Sequence, residues 1–311
     1  MASTSTRSWF RQREPNQLAP VANSVINLTF LLYAAVCIIP VLIILSVSLS
    51  TNESVMRYGY SLIPREFSLQ AYDLIFDEGA TIGRAYAVSL FTTIVGMILC
   101  VVNVCLYAYP LSRSTFKFRK FFMFFLFFTM IFGGGMVASY VVNTNLLGLG
   151  DNIWIMILPM GFNAFWVIVM RTFYKTQIPE SLIESAKIDG AGEWYTLVRV
   201  VIPLSLPGVA TVALFSTIGI WNDFFINMLY IRDTNLYNLQ RLIQQVLGSI
   251  TILREMAMKI GQAGGSVDVR NLPSETFRMA MCIVTIGPIV LAYPFFQKYF
   301  IRGLTIGAIK E

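Results

Sequence analysis

The sequence contains no histidine and only four cysteines, and charged residues make up just 13% of its 311 positions. Without histidine there are no imidazole metal ligands and no Ser-His or Cys-His catalytic pair. No Gly-Lys-Ser/Thr phosphate loop occurs either, so any ATP that drives this protein must be bound by another chain. Cys37, Cys100, Cys105 and Cys282 all fall in apolar stretches, where they act as small hydrophobes rather than disulfide partners. Those stretches hold no paired carboxylates and no nucleophile–base spacing, which argues against a membrane-embedded enzyme. The net charge of +6 is divided among short loops instead of gathered into one stripe, so it is not a nucleic-acid footprint.

What the chain has in abundance is apolar residues, at 56%. That is too apolar for an ordinary soluble domain. Stretches of roughly 20 apolar residues, enough to cross ~30 Å of hydrocarbon, fall at 25–49, 85–110, 120–142, 152–174, 206–230 and 277–297. Each must satisfy its own backbone hydrogen bonds in lipid, so the expected class is an all-α membrane protein of six transmembrane helices. Fourteen of the 23 lysines and arginines lie on one side of the resulting topology: Arg7 to Arg13, Arg113 to Lys120, Arg171 to Arg199, and Lys298 to Lys310. The positive-inside rule then places both termini and the 175–205 loop in the cytoplasm. Residues 1–24 are polar and basic without a cleavable-signal pattern, so the N-terminus is expected to be retained as a cytoplasmic segment.

The most informative stretch is Glu184-Ser-Ala-Lys-Ile-Asp-Gly190, which runs on to Val201-Ile-Pro203. It reads as two short helices hinged at glycine. Pro179 and Glu180 suit the start of the first helix. Gly190 supplies a left-handed residue at its end. Trp194, Leu197, Val198 and Val201 recur at helical spacing as one apolar face of the second helix. Pro203 and Pro207 end that helix and re-aim the chain. On these grounds alone the segment is either an amphipathic loop resting on the bilayer or a device built for a partner.

Elsewhere, 50–84 reads as an external connection. Ser89, Thr92, Thr93, Gly96 and Asn103 form a small, weakly polar stripe suited to close helix packing. Gly133-Gly134-Gly135 interrupts a phenylalanine-rich span and marks a break. In the fifth span, Gly219, Asn222, Asp223 and Asn227 share one helical face beside Trp221. A charged Asp223 inside a span calls for a partner or a watery cavity. Within the external segment 231–276, Leu236 to Met256 has the spacing of an amphipathic helix of five or six turns. Its apolar face is expected against the membrane surface, the top of the bundle or a docked protein. The tail 299–311 is short and glycine-rich, and such tails are ordinarily disordered alone.

The Glu184–Pro203 stretch resembles the coupling loop of ABC-importer permeases: Glu-Ala-Ala, three residues, Gly, nine residues, Ile, one residue, Leu-Pro. Glu184, Ser185, Ala186, Gly190, Val200, Ile202 and Pro203 occupy those places, with Ser185, Val200 and Ile202 as small departures. The likeness covers nearly all of the chain after residue 25 and is closest to the carbohydrate-uptake, maltose-type subfamily. Gly303, Leu304, Thr305 and Gly307 match that subfamily's tail, which inserts between the ATPase subunits. Phe132 to Met136 and Trp221 to Phe225 resemble a subgroup taking up complex or acidic oligosaccharides, although that subgroup usually has proline where Ala138 stands.

The resemblance implies a permease domain over 25–298 in the bacterial cytoplasmic membrane. It works by alternating access with a second homologous permease subunit, two ATPase subunits, an extracellular solute-binding protein and a carbohydrate substrate. It implies no cofactor on this chain, with ATP and Mg on the partner ATPase subunits. It also assigns ATPase coupling to Glu184, Ser185, Ala186, Asp189, Gly190, Ile202 and Pro203. Gly219, Trp221, Asn222 and Asp223 are expected in the translocation pathway or the contact with the partner permease. A permease for another solute class, and a self-sufficient secondary transporter or channel, are the competing expectations.

Overall fold

The computed structural model describes residues 20–77, 79–262 and 275–308. Among them there is no β-strand, only an isolated antiparallel bridge between Ser50 and Phe67. Among the described residues two unbroken helices are long and apolar enough to cross a bilayer: α1 (Pro20–Ser48) and, after the short α2 (Asn52–Tyr58) and α3 (Gln70–Asp77), the long α4 (Gly79–Ser112).

Three further helix pairs are together long and apolar enough to cross a bilayer but are bent at a short break. The first joins α5 (Arg119–Ile131) to α6 (Gly135–Leu146) through a 109° bend. The break falls at the predicted glycines, and Gly135 takes φ +78°, a conformation that side chains resist. The second joins the short turns of Ile153–Gly161 to α7 (Ala164–Gln177) at 40°. The sequence predicted one helix over 152–174, but the regular helix begins only at Ala164. Pro159 lacks an N–H, and the Asn163 carboxamide caps the amides of Phe165 and Trp166, which starts the helix there. The third joins α9 (Glu193–Leu204) to α10 (Leu206–Trp221) at 80°, with α8 (Glu180–Ile188) before it.

The predicted fifth span, 206–230, is likewise not one helix. It ends at Trp221 and resumes as α11 (Phe225–Tyr230). The side chain of Asn222 donates back to the Ile218 carbonyl, and Asp223 accepts from the Ile226 amide; both compete with the helical ladder. The face shared by Gly219, Asn222, Asp223 and Asn227 therefore does not form. Asn227 is fully buried and donates to the Leu236 carbonyl.

Helix α12 (Leu239–Gln262) is the predicted amphipathic helix, and its first turns lie on top of the bundle. Leu239 and Ile243 are buried with Trp221, Ala280 and Met281. Helix α13 (Glu275–Ala308) packs against α1 and α10. Its helical backbone continues through Gly303, Leu304, Thr305 and Gly307 with no break at 298, unlike the tail expected from composition. The side chains of those four residues lie outside the described ones.

The small-residue stripe of α4 packs as its composition predicts. Ser89 accepts a hydrogen bond from the Leu239 amide, and Asn103 donates to the Gly161 carbonyl. A Cβ on Gly96 would come within 2.8 Å of Ile220 in α10. Thr92 satisfies its hydroxyl on the carbonyl of Val88 in its own helix. Close approach of helices needs such small residues, although the buried Thr93 hydroxyl has no hydrogen-bond partner.

Candidate functional site: the two-helix segment at one end of the bundle

The segment 179–204 is built from the backbone up as a hinged pair. Pro179 leads into α8 with extended ψ, and Glu180 in the first turn and Lys187 in the last both complement the helix dipole. At its end the Gly190 amide donates to Lys187 O at 3.0 Å and the Ala191 amide to Ala186 O at 2.9 Å. Gly190 sits at φ +81°. This pair of bonds around a left-handed residue is a Schellman closure, so the glycine expected from sequence has a defined backbone role. Helix α9 then passes through a π-type stretch, Thr196–Val201, before turning at Ser205 into α10. The Ser205 hydroxyl, donating to Val201 O at 2.7 Å, ties the turn together where Pro207 has no amide to offer.

The apolar side chains of this segment split into two sets. Ile178, Ile183, Leu197 and Val201 are buried in the same core as Cys105, Met170 and Val212. This inward set welds the loop to α4, α7 and α10. An outward set stays exposed: Leu182, Ile188, Trp194, Tyr195 and Val198, with Ile188 at 86% and Trp194 at 70%. The single apolar face predicted for Trp194, Leu197, Val198 and Val201 is thus divided. The π-type stretch that begins at Thr196 winds the chain more slowly than an α-helix, so positions spaced for one α-helical stripe land on two sides. The exposed apolar ridge was the part sequence reasoning missed; Ile188 and Tyr195 were visible only as unassigned hydrophobes in a polar loop.

A polar latch fixes the hinge to α4. The Tyr109 hydroxyl donates to Glu193 Oε2 at 2.6 Å, and Lys187 Nζ stands 2.6 Å from Glu193 Oε1. Lys187 first, then Tyr109, hold the Glu193 carboxyl below its ordinary 4.5. On the neighbouring loop Ser114 donates to Glu180, and Arg113 lies 3.6 Å from the same carboxylate.

Of the predicted coupling residues, Glu184, Ser185, Asp189 and Gly190 are exposed, and Ala186 is half-buried beside them. Ser185 spends its hydroxyl on Ser181 O. Ile202 is half-buried and Pro203 exposed at the bend. The predicted pathway residues differ in exposure at the end of α10. Gly219 and Asn222 are exposed, Asp223 is half-buried with its carboxylate on the Ile226 amide, and Trp221 is 5% exposed inside the core with Ile75 and Met281. Among the described residues no cluster of acidic or cysteine side chains could hold a metal.

This geometry is a bent-helix bundle with one two-helix loop anchored by its inner face and bare on its outer face. The family model for the "binding-protein-dependent transport system inner membrane component" matches residues 79–306, which include the whole loop. The chain belongs to this permease family. Among its relatives is the "polygalacturonan/rhamnogalacturonan transport system permease protein YtcP" of Bacillus subtilis (strain 168). It is 36% identical over 280 residues, covering 90% of this chain and 95% of the relative. Protein LplC of the same organism is 37% identical over 276 residues, covering 89% and 90%. A chain of a bacterial ABC transporter "involved in the import of the acidic polysaccharide alginate" superposes with a TM-score of 0.74. That match has 29% identity and covers 91% of this permease and 99% of the solved chain.

Proposed function

We propose that this permease is a membrane subunit of an ATP-driven importer for an oligosaccharide or polysaccharide fragment. It spans the bacterial cytoplasmic membrane six times, both termini in the cytoplasm, and pairs with a second homologous permease. Two ATPase subunits, which bind ATP and Mg, sit beneath the pair, and an extracellular solute-binding protein delivers the sugar. The observation that carries this reading is the two-sided loop at 179–204. Its inner face belongs to the bundle core, so the loop cannot move without moving α4, α7 and α10. Its outer ridge of exposed apolar side chains is the kind of surface that marks a protein partner.

In this reading closure of the ATPase dimer carries the loop with it and rocks the bundle between outward and inward openings. Glu184, exposed and without an ion pair among the described residues, offers a carboxylate to a basic residue of the ATPase. Ser185, Ala186, Asp189 and Gly190 keep the contact surface low. Ile202 and Pro203 pass the force into α10. Gly303, Leu304, Thr305 and Gly307 reach between the ATPase subunits. Gly219, Asn222 and Asp223, at the other end of α10, face the sugar path or the second permease. The cargoes named for these proteins, polygalacturonan/rhamnogalacturonan and alginate, favour carbohydrate over other solutes.

The test is reconstitution of the importer in liposomes loaded with ATP. Labelled oligosaccharide should accumulate only with ATP in the lumen and the binding protein outside. Accumulation without ATP would make this a secondary transporter; ATP-driven accumulation of amino acids in place of sugars would overturn the substrate class.

A further inference from the structure

Two adjoining cavities line the side of α4 at the loop end of the bundle, of about 500 Å³ and about 460 Å³. Both are bounded by Leu106, Pro110 and Phe116, so they form one groove. One end reaches Asn103, Tyr107, Phe122 and Phe162, and the other reaches Arg113, Glu193 and Trp194. From Asn103 to the end of α4 is roughly 14 Å at the helical rise. One leaflet of hydrocarbon is about 15 Å deep. The groove is therefore apolar over one leaflet's depth and charged only at its mouth.

The charge at the mouth is unbalanced in favour of an anion. Both nearby carboxylates already have partners: Glu193 holds Lys187 and Tyr109, and Glu180 accepts from Ser114. Arg113 pairs loosely with Glu180 at 3.6 Å, its side chain is 13% exposed, and its buried Nε has no hydrogen-bond partner. Lys117, Arg119 and Lys120 follow within seven residues and form no ion pair among the described residues. Phe118 among them and Phe121 just after are 64% and 63% exposed, which suits a segment dipping into the bilayer interface.

We propose that this groove holds one anionic phospholipid of the facing leaflet. An acyl chain lies along Leu106, Pro110, Phe116, Phe122 and Phe162, and the phosphate sits at Arg113 within reach of Lys117 and Lys120. Because Glu193, Trp194 and Leu197 form part of the same wall, the lipid touches the hinge that joins α9 to α4. The inference rests on the permease reading only in requiring the chain to span a bilayer.

The test uses the full chain, freed of any ATPase because Trp194 also lies on the ridge proposed to dock it, in nanodiscs of phosphatidylcholine doped with brominated lipid. Bromine quenches nearby indoles, and the difference between the parent protein and Trp194→Phe isolates the signal of Trp194. Brominated phosphatidylglycerol should reach half-quenching at about fivefold lower mole fraction than brominated phosphatidylcholine, the preference expected from one basic residue near the surface. Arg113→Gln should abolish that preference and Arg113→Lys keep it. Lys117→Gln with Lys120→Gln, which alters exposed side chains alone, should reduce it. Equal quenching by the two lipids, a preference unchanged by Arg113→Gln, or protection of Trp194 from both lipids by a protein occupant would each overturn the proposal. None of these readings depends on ATPase binding, so a failed importer reading and a failed lipid site are separable.

Discussion

Replacing Tyr109 with phenylalanine tests how the 179–204 loop is held. Two bonds converge on Glu193, and the structure ranks them. Lys187 and Glu193 are 2.6 Å apart, but their side chains are 40% and 57% exposed. Water screens such a pair to about 0–1 kcal/mol. The Tyr109 hydroxyl meets the same carboxylate from a side chain only 6% exposed. Hydrogen bonds to charged groups contribute about 1.5–3 kcal/mol, and the low end applies because Glu193 can turn to water. Tyr109→Phe should therefore loosen the hinge by about 1.5 kcal/mol, close to tenfold in the local opening equilibrium. Lys187→Ala should loosen it by less than about fivefold.

The assay is amide hydrogen exchange across residues 189–200, in nanodiscs, on the two variants and the parent. The pH dependence has a defined sign. Because the Glu193 carboxyl is held below 4.5 in the folded state, its contribution is complete above that value and is lost as pH falls through the folded pKa. Exchange across the hinge, corrected for its intrinsic rate, should thus be flat at neutral pH and rise only under acid conditions below 4.5. A larger effect from Lys187→Ala than from Tyr109→Phe, or no effect from either, would refute the latch.

Three further outcomes follow from the site and the packing. Gly190→Asp should insert and fold normally, since a Cβ there meets nothing within 4 Å and only the left-handed backbone is strained, by about 1–2 kcal/mol or less for Asp. Uptake should nonetheless be uncoupled from ATP hydrolysis, and normal sugar uptake by this variant would remove Gly190 from the coupling surface. Asp223→Ala should lose about 1 kcal/mol by leaving the Ile226 amide uncapped, whereas Asp223→Asn keeps the acceptor. Equal melting temperatures for the two would show that the cap does not matter, and unchanged uptake in both would remove Asp223 from the sugar path. Gly161→Val should destabilise by about 1–3 kcal/mol through overpacking, because even a Cβ would press on the Leu99 side chain, with Cγ at 2.8 Å. Thermal unfolding in detergent reads this directly, and a parent-like midpoint would contradict the packing of α4 against that turn.

Local chemistry made much of this architecture legible in the sequence. Gly190 has a backbone reason to be glycine, and the Gly133 to Gly135 run breaks its span as such a run should. The stripe from Ser89 to Asn103 shows its packing role because small residues in a span have few other uses. The amphipathic pattern after Leu236 marks α12, although the pattern alone could not say that Leu239 and Ile243 bury against Trp221. What escaped are the breaks inside apolar runs. A hydropathy window averages over Asn222-Asp223 and over Pro159 to Asn163, where a side chain binding one backbone amide ends or starts a helix. The division of α9's apolar residues escaped for a related reason: α-helical spacing does not foresee a π-type stretch. Trp221, expected in the sugar pathway or the contact with the partner permease, is a core residue because α12 folds over it.

The central claim is that the 179–204 loop is a docking surface for an ATPase. Purifying the tagged chain from its native membrane in mild detergent, and weighing what accompanies it, tests this most directly. The account predicts a second permease and an ATPase in a one-to-one-to-two ratio with this chain. It also predicts that the ATPase is lost from Gly190→Asp or from an Ile188→Glu variant while the second permease stays. A chain that comes down alone, or only with copies of itself, would contradict the account and leave the loop as an amphipathic surface with no partner.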